Sequence, residues 1–198
     1  MKKPYDKDKV GKFIGWGGEH LVFQYGADSV IKFSLHIWLS GKSAVDKKIK
    51  DYEIGNRYFN RYLLPTEILT WRKGKRAVEI QDKIQCRFLT RKDLSAQASQ
   101  SGQGNKLTKQ QFDDIMERYE RMKKETGLDF DLFGREGLFR IKPDFISNIL
   151  ITPEGKLVLN DFTILKLEKV KIREIPIWLI IEWGKKRQER LLKKFYKN

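Results

Sequence analysis

The stretch that most constrains this chain is 146–163, which has the pattern of a β-hairpin with a polar residue at each end. Two short apolar runs, 149–151 and 157–159, flank a Pro-Glu-Gly turn and predict two antiparallel strands. Asn148 precedes the first run and Asp161 follows the second, so we expect the two side chains at the same hairpin end. Two oxygen-bearing groups in one place suit Mg²⁺, although a surface hairpin with a polar cap at each root has the same pattern.

Length and composition limit the classes of protein that need to be considered. With 198 residues, 40% of them hydrophobic, the chain can bury a core. Its single cysteine, Cys86, cannot form an intramolecular disulfide, and the N-terminus lacks an apolar signal core, so we expect an intracellular, cytoplasmic protein. The apolar run 175–183 contains Pro176 and Glu182 and falls short of the roughly 20 residues that cross a membrane. No transmembrane segment is expected.

Strand-forming residues alternate with glycines across 10–33, which predicts strand, glycine loop, strand, turn and strand. Gly15, Gly17 and Gly18 lie at the first of these turns. Residues without a Cβ let backbone N–H groups approach a phosphate closely. Many hairpins carry glycines for no such reason, so the loop needs support from other residues before it indicates a phosphate site.

Lys32 stands inside an apolar stretch of the third strand, where alternation directs its charge inward. An unpaired buried charge is costly, so Lys32 requires an anionic partner. A helical pattern over 43–59 follows, and Glu53 borders its apolar stripe, whereas Asp51 lies elsewhere on the helical wheel. Glu53 is therefore either the partner of Lys32 or a solvated residue that pairs with Arg57 at the next turn.

The order of these features resembles that of the protein-kinase-like fold, in which a glycine loop, a strand lysine, a helix glutamate, an asparagine and an aspartate follow one another. The resemblance covers residues 10 to 165 and includes the interval of 13 positions between Asn148 and Asp161 (161 − 148). It implies that the glycines and Lys32 bind the phosphates of ATP and that Lys32 pairs with Glu53. It also implies that Asn148 and Asp161 hold Mg²⁺.

The same resemblance implies an α+β, two-lobed, protein-kinase-like fold. Residues 1–84 would form an N-lobe with a small antiparallel sheet and one helix. Residues 85–198 would form a truncated, mainly helical C-lobe with a long helix, the catalytic-loop hairpin and a basic C-terminal helix. Asp82 and Ile84, between the two lobes, are the expected adenine contacts.

Pattern alone predicts two further elements. Strands over 66–71 and 76–84, joined by a turn at Lys73-Gly74, would complete the small sheet. A helix after a capping box formed by Thr108 and Gln111 would end at Gly127. In the resemblance, this helix takes the place of the long helix of the C-lobe.

The expected catalytic loop departs from the kinase pattern. Kinases place the catalytic aspartate five positions before the asparagine, whereas Asp144 lies four positions before Asn148. Asp144 is either the base in a loop one residue shorter or a cap of the turn that follows Pro143. Thr163 replaces the usual glycine, and no Ala-Pro-Glu motif follows Leu165, so a peptide acceptor is not expected.

These features together predict ATP-dependent phosphoryl transfer to a hydroxyl acceptor, with Lys32 and Asp144 as catalytic groups. One alternative is a pseudokinase that binds nucleotide without transfer. The other is a basic nucleic-acid-binding protein, suggested by the formal charge of +15 and by the basic segment 185–197. That segment is predicted to be an amphipathic helix, which can lie on a membrane, bind a polyanion or pack on the C-lobe.

Overall fold

The computed structural model describes residues 3–16, 20–94, 104–133, 145–165 and 175–196. It is an α+β structure with a small antiparallel sheet and several helices. The chain divides into two compact units, the first made of Met1–Ile54 and Leu64–Ile84, the second of Gly55–Leu63 and Gln85–Asn198. The division expected at residue 84 falls where the second unit resumes, but residues 55–63 also belong to that unit.

The first unit is built on an antiparallel sheet with the strand order β1-β2-β3-β5-β4. The strands are β1 (Val10–Trp16), β2 (His20–Tyr25), β3 (Ser29–Ser34), β4 (Thr66–Trp71) and β5 (Arg76–Asp82). The predicted strands of the N-terminal region and the predicted pair at 66–71 and 76–84 are therefore present, although β5 ends at Asp82. The turn between β2 and β3 uses Gly26 at φ 65°, a conformation that glycine adopts without strain.

The strand β1 forms one edge of this sheet. Its pairing with β2 is irregular, with register shifts between Val10 and Phe13 and between Phe13 and Gly15. Phe13, Ile14 and Trp16 are exposed, although all three are large and apolar. Among the described strands β1 to β5, the exposed large apolar side chains are therefore concentrated on this edge strand.

One face of the sheet is apolar and the other is covered by helices. On the apolar face, Tyr5 packs with Ile31 and Val78, and its ring meets that of Phe33 edge to face at 5.7 Å between centroids. The helix-facing side carries a smaller apolar cluster of Ile37, Ala44, Val45 and Ala77. The residues that precede β1 thus close the apolar face of the sheet.

The helices on the other face are α1 (Leu35–Ser40) and α2 (Lys42–Phe59). Ser34 caps α1, since its hydroxyl accepts a hydrogen bond from Ile37 N, and Gly41 ends the helix at φ 65°. The sequence pattern predicts a single helix in this unit. The helix α1 escapes the pattern because six residues are too few to display a helical period.

The second unit combines a three-stranded antiparallel sheet with helices. Its strands, in the order β6-β7-β8, are β6 (Arg87–Thr90), β7 (Phe145–Ile151) and β8 (Leu157–Leu159). Its helices are the end of α2 from Gly55 onward, α3 (Arg91–Leu94), α4 (Gly104–Thr126) and α5 (Ile175–Tyr196). The strands β7 and β8 form the predicted hairpin, with Ile149 opposite Leu159 and Gly155 at φ 80° in the turn.

The predicted start of the long helix is wrong and its predicted end is confirmed. Because α4 already begins at Gly104, Thr108 and Gln111 lie inside the helix and form no capping box. The side chain of Gln111 instead donates to Gly155 O and accepts from Leu157 N, which ties the hairpin to α4. Gly127 ends the helix at φ 66°, and its N–H bonds the carbonyl of Lys123.

Hydrogen bonds hold residues 58–62 against α4 within the second unit. Tyr62 donates to Asp114 Oδ2 at 2.7 Å, and burial together with this bond raises the pKa of Tyr62 to about 12. Arg118 bonds the same carboxylate and the carbonyl of Tyr58. The residues after α2 are thereby fixed on the helix that follows them in the chain.

The basic C-terminal helix α5 packs on the second unit through one of its sides. Gln188 donates to Phe130 O and accepts from Leu132 N, and Leu191 and Leu192 are buried. The exposed basic residues of the same helix include Lys186, Arg190 and Lys193. The sequence allows this segment to lie on a membrane, bind a polyanion or pack on the rest of the unit. In the structure it packs, with a basic side exposed to solvent. Within the described part of the chain, no helix has both the length and the apolar character needed to cross a bilayer.

Candidate functional site

Charged side chains are buried on the helix-facing side of the first unit's sheet. Lys32 in β3 is 7% exposed and lies opposite Glu79 of β5, which is 3% exposed. Residues directly opposite each other project from the same face of a sheet, and here that face also carries Ala77 and the helices. We use the term buried charge cluster for His20, Lys32, Lys48 and Glu79.

Glu79 receives two basic groups of this cluster. His20 of β2 donates from Nε2 to Glu79 Oε1 at 3.0 Å. Lys48 of α2 places its Nζ 3.3 Å from Glu79 Oε2. Because a buried charge is tolerated when it is paired and hydrogen-bonded, these contacts account for a carboxylate inside an otherwise apolar strand. They also join strand β2, strand β5 and helix α2 through one side chain.

The structure corrects the expected position of Glu53. Glu53 is exposed on α2, whereas Asp51 is 4% exposed and its Oδ2 lies 2.5 Å from Lys47 Nζ. The predicted apolar stripe is confirmed at Val45 and Phe59, which are buried, and at Ile49, which packs on the same cluster as Val45. A second buried row, through positions 44, 51, 55 and 58, lies beside the stripe, so the buried side of α2 is wider than the sequence predicts. The alternative interpretation of Glu53, a solvated residue of the outer face, agrees with this exposure.

The buried side of α2 extends beyond the apolar stripe because part of what the helix covers is polar. Helical-wheel reasoning assumes an apolar partner surface, but the sheet face beneath α2 carries the His20–Glu79 pair, and Lys48 of the helix pairs with Glu79. A signal for Glu79 does exist in the sequence. Glu79 interrupts the apolar run of β5, in the same way that Lys32 interrupts β3, and a charge at an inward strand position indicates a buried pair.

A further polar group on this face has an unmet hydrogen-bonding requirement. Gln81, two residues after Glu79 in β5, is buried and donates from Nε2 to Thr66 Oγ1 at 2.6 Å. Within the described residues, Gln81 Oε1 has no hydrogen-bond partner. A buried acceptor without a donor costs about 1–3 kcal/mol, so Gln81 lowers the stability of this part of the sheet.

The remaining expected residues of the first unit have varied surroundings. Gly15 lies in β1, and a Cβ built on it would meet nothing within 4 Å. Asp82 is exposed at the end of β5, and Ile84 is half-buried in the segment without regular structure that follows. Gly17 and Gly18 lie outside the described residues, so the glycine loop itself has no structural description.

In the second unit, the hairpin brings Asn148 and Asp161 to one end, as the sequence predicts. Asn160 N bonds the carbonyl of Asn148, which places Asp161 one residue beyond the closing pair of the hairpin. The Asn148 side chain is oriented by its Nδ2, which donates to Asp131 O at 2.6 Å. An amide whose nitrogen is bonded in this way directs its oxygen to the other side, where it can ligate a cation.

The residues after Asp161 are fixed by packing and backbone bonds. Phe162 is buried, stacks on Phe130 at 4.8 Å between centroids and also contacts Phe59. Thr163 O accepts from Asp131 N, and Leu165 N donates to Asp129 O. The half-buried carboxylate of Asp161 therefore extends from a segment that is anchored immediately behind it.

The donor set of this hairpin end fits Mg²⁺ better than zinc. Among the described residues, no three His, Cys, Asp or Glu side chains are grouped in a way that could hold a metal ion. One carboxylate and one amide oxygen match Mg²⁺, which commonly keeps several waters and takes further ligands from substrate phosphates. Asp144, the expected base, lies outside the described residues.

Comparison with known proteins gives no family for the chain. No protein-family model matches its sequence. No curated protein matches it either.

Proposed function

We propose that this chain is a compact, ATP-dependent phosphotransferase of the protein-kinase-like superfamily, which transfers the γ-phosphoryl group of MgATP to a hydroxyl acceptor. The observation that carries the proposal is the hairpin register, which holds Asn148 and Asp161 at one end with the separation that the resemblance requires. Support also comes from the order of the elements, in which the buried Lys32 follows the β1–β2 hairpin and precedes α2.

In this proposal, Asn148 and Asp161 would hold Mg²⁺, and Lys32 would contact the nucleotide phosphates. Glu53 is exposed, so the buried Glu79, which lies opposite Lys32 in the sheet, would take its place as the supporting carboxylate. The glycines of the loop would bind phosphate through their backbone N–H groups, and Asp82 and Ile84 would contact adenine. Asp144 would accept the proton of the hydroxyl as it attacks phosphorus.

The test is calorimetric titration of MgATP into the wild-type protein, Asp161→Ala and a control, with ATP turnover measured on the same samples. Asp113→Ala is a matched control, because Asp113 is an exposed carboxylate on α4. We expect Mg²⁺-dependent binding that Asp161→Ala abolishes and Asp113→Ala leaves unchanged. Lys32→Ala should weaken binding by roughly 2–5 kcal/mol, while Lys124→Ala, at an exposed site, should have no effect.

The outcomes separate the proposed function from its alternatives. Metal-dependent binding accompanied by turnover supports the phosphotransferase. Binding without turnover for any hydroxyl acceptor or water indicates a pseudokinase. Absence of MgATP binding by a folded wild-type protein would contradict both, and polynucleotide binding that falls steeply with salt would then favour the nucleic-acid alternative. Circular dichroism of Lys32→Ala is needed beside the titration, because Lys32 is buried.

A further inference from the structure

The short helix α1 exposes a group of large apolar side chains. Leu35, Trp38 and Leu39 all face solvent, with 66% of Trp38 and 87% of Leu39 exposed, while Ile37 is the residue that packs inward. Two adjacent large apolar residues with this exposure are unusual on a surface that contacts only water. Helix α1 is therefore a candidate contact surface, and its neighbours indicate the kind of partner.

One basic side chain contacts this group, and further basic residues lie in the adjoining turn and at the start of α2. The guanidinium of Arg76 lies over the Trp38 ring, 5.8 Å from its centroid. The turn between β4 and β5 approaches the start of α2, since a Cβ on Gly74 would lie 4.0 Å from Lys42 Cγ. We use the term α1 patch for the apolar residues Leu35, Trp38 and Leu39 together with Lys42, Arg72, Lys73, Lys75 and Arg76.

The turn that carries this charge is strained. Arg72 and Lys73 adopt φ values of 52° and 57°, in the left-handed region that residues other than glycine rarely occupy. Asparagine and glycine are the residues that fit such positions in a β-hairpin turn. Strain of this kind is commonly retained where a side chain has a function, and here both strained residues are exposed cations.

We infer that the α1 patch docks the protein on an anionic lipid surface, with Trp38 and Leu39 entering the interface and the basic residues contacting headgroups. Tryptophan favours the membrane interface, and an aliphatic side chain gains free energy by leaving water for the acyl region. Basic residues beside such anchors add attraction to anionic lipid. This inference uses none of the nucleotide-binding residues, so it stands apart from the proposed function.

A single-stranded nucleic acid is the other polyanion to consider, and the patch fits it less well. Proteins that bind single strands stack successive bases on several aromatic side chains. The α1 patch has one aromatic residue, and its most exposed member, Leu39, offers no flat surface for a base. Aliphatic residues next to cations match the layered chemistry of a bilayer surface instead.

The test measures co-sedimentation of the full chain with phosphatidylcholine vesicles, with and without phosphatidylglycerol. We expect binding to the anionic vesicles alone, weakened by salt. Trp38→Ser with Leu39→Ser should lower the affinity tenfold or more, because the anchors are removed. Leu107→Ser, at an exposed apolar residue of α4, is the control and should change nothing.

A second variant separates binding from stability. Arg72→Asn with Lys73→Gly removes two charges and should lower vesicle affinity by about 25-fold, since each basic residue near an anionic surface contributes about fivefold. The same change relieves the strained turn, so the denaturation midpoint should rise. The charge-matched control, Lys109→Asn with Lys124→Asn on α4, should keep the wild-type affinity.

Three results would overturn the inference. The first is a failure of the wild-type protein to bind anionic vesicles. The second is equal loss of affinity in the patch variants and in their controls. The third is loss of single-stranded polynucleotide binding, measured without lipid, in both patch variants while vesicle binding is retained.

Discussion

Asp93 holds the junction between β6 and α3 with four hydrogen bonds. It accepts from Thr90 N and Thr90 Oγ1, as in a capping box, and from both terminal nitrogens of Arg87. Partial burial acts to raise the pKa of the Asp93 carboxyl, but the bonds from Arg87 and Thr90 outweigh it and the pKa is lowered. Asp93 therefore stabilises the folded state as an anion.

Asp93→Asn should reduce the free energy of unfolding by about 1–2 kcal/mol at neutral pH, since it weakens the cap and removes the ion pair. A lowered pKa in the folded state means that the contribution is present above the ordinary carboxyl pKa and is lost as pH falls through the folded value. Urea denaturation across a pH series should show the difference between wild type and variant shrinking at acidic pH. A difference that persists unchanged at acidic pH would assign the effect to something other than the charge of Asp93.

At the residue scale, the sequence predicts a buried charge where it interrupts an apolar strand, but it does not predict one in the helix α2. Lys32 was detectable because it interrupts an apolar run, and it is buried as predicted. Glu79 interrupts β5 in the same way and could have been found with the same argument. Asp51 could not, because a hydrophobic period does not reveal a helix side that covers polar groups.

At the scale of elements, the end of α2 is shaped by one close contact. A Cβ on Gly55 would lie 2.9 Å from Phe162 Cγ and 3.3 Å from Leu63 Cδ2. The Phe162 ring is stacked on Phe130 and packed on Phe59, so it has little freedom to move away. Glycine at position 55 therefore lets the segment after Asp161 pack directly on the helix.

Gly55→Ala should fail to stabilise the protein, even though alanine is the better helix former. The gain in helix propensity is about 1 kcal/mol, while overpacking a rigid core site costs typically 1–3 kcal/mol, so the net effect should be a loss or close to zero. Asn56→Ala, at the exposed neighbouring position, should keep or raise stability and is the control. Thermal denaturation of both variants measures the difference. A clear stabilisation by Gly55→Ala would show that Phe162 is free to shift.

Elements with strong local signals were predictable, and those set by tertiary contacts were not. The hairpin β7–β8 has alternation, a Pro-Glu-Gly turn and closing residues, and its position is confirmed. The predicted start of α4 is wrong, because Gln111 has the spacing of a capping residue in the sequence but bonds the hairpin backbone in the structure. The short helix α1 is bounded by the caps Ser34 and Gly41 and packs through Ile37, so its sequence shows no helical period.

At the scale of the whole molecule, the single thiol offers a direct probe. Cys86 is exposed and lies two residues after Ile84, where the chain passes from the first unit to the second. Partial desolvation raises the pKa of its thiol, and the thiolate is the reactive form. Alkylation in the folded protein should therefore proceed at one site, more slowly at neutral pH than for a cysteine in a peptide.

Mass spectrometry should find one added label per chain, at a rate that increases with pH beyond the ordinary range for cysteine. If adenine contacts Asp82 and Ile84 as proposed, MgATP should slow the reaction. Protection by MgATP in wild type, but not in Asp161→Ala, would link the thiol to the metal-dependent site. A rate at neutral pH equal to that of a peptide cysteine would contradict the raised pKa.

The open edge at β1 has a consequence for how the protein behaves at high concentration. An exposed strand with Phe13, Ile14 and Trp16 is a template on which other copies could add strands and form aggregates. The irregular pairing of β1 with β2 distorts that template. Lys9 and Lys12 also place positive charge at this edge, and the whole chain has a formal charge of +15. Mutual repulsion between copies is screened by salt, so this protection against fibril-like growth weakens as ionic strength rises.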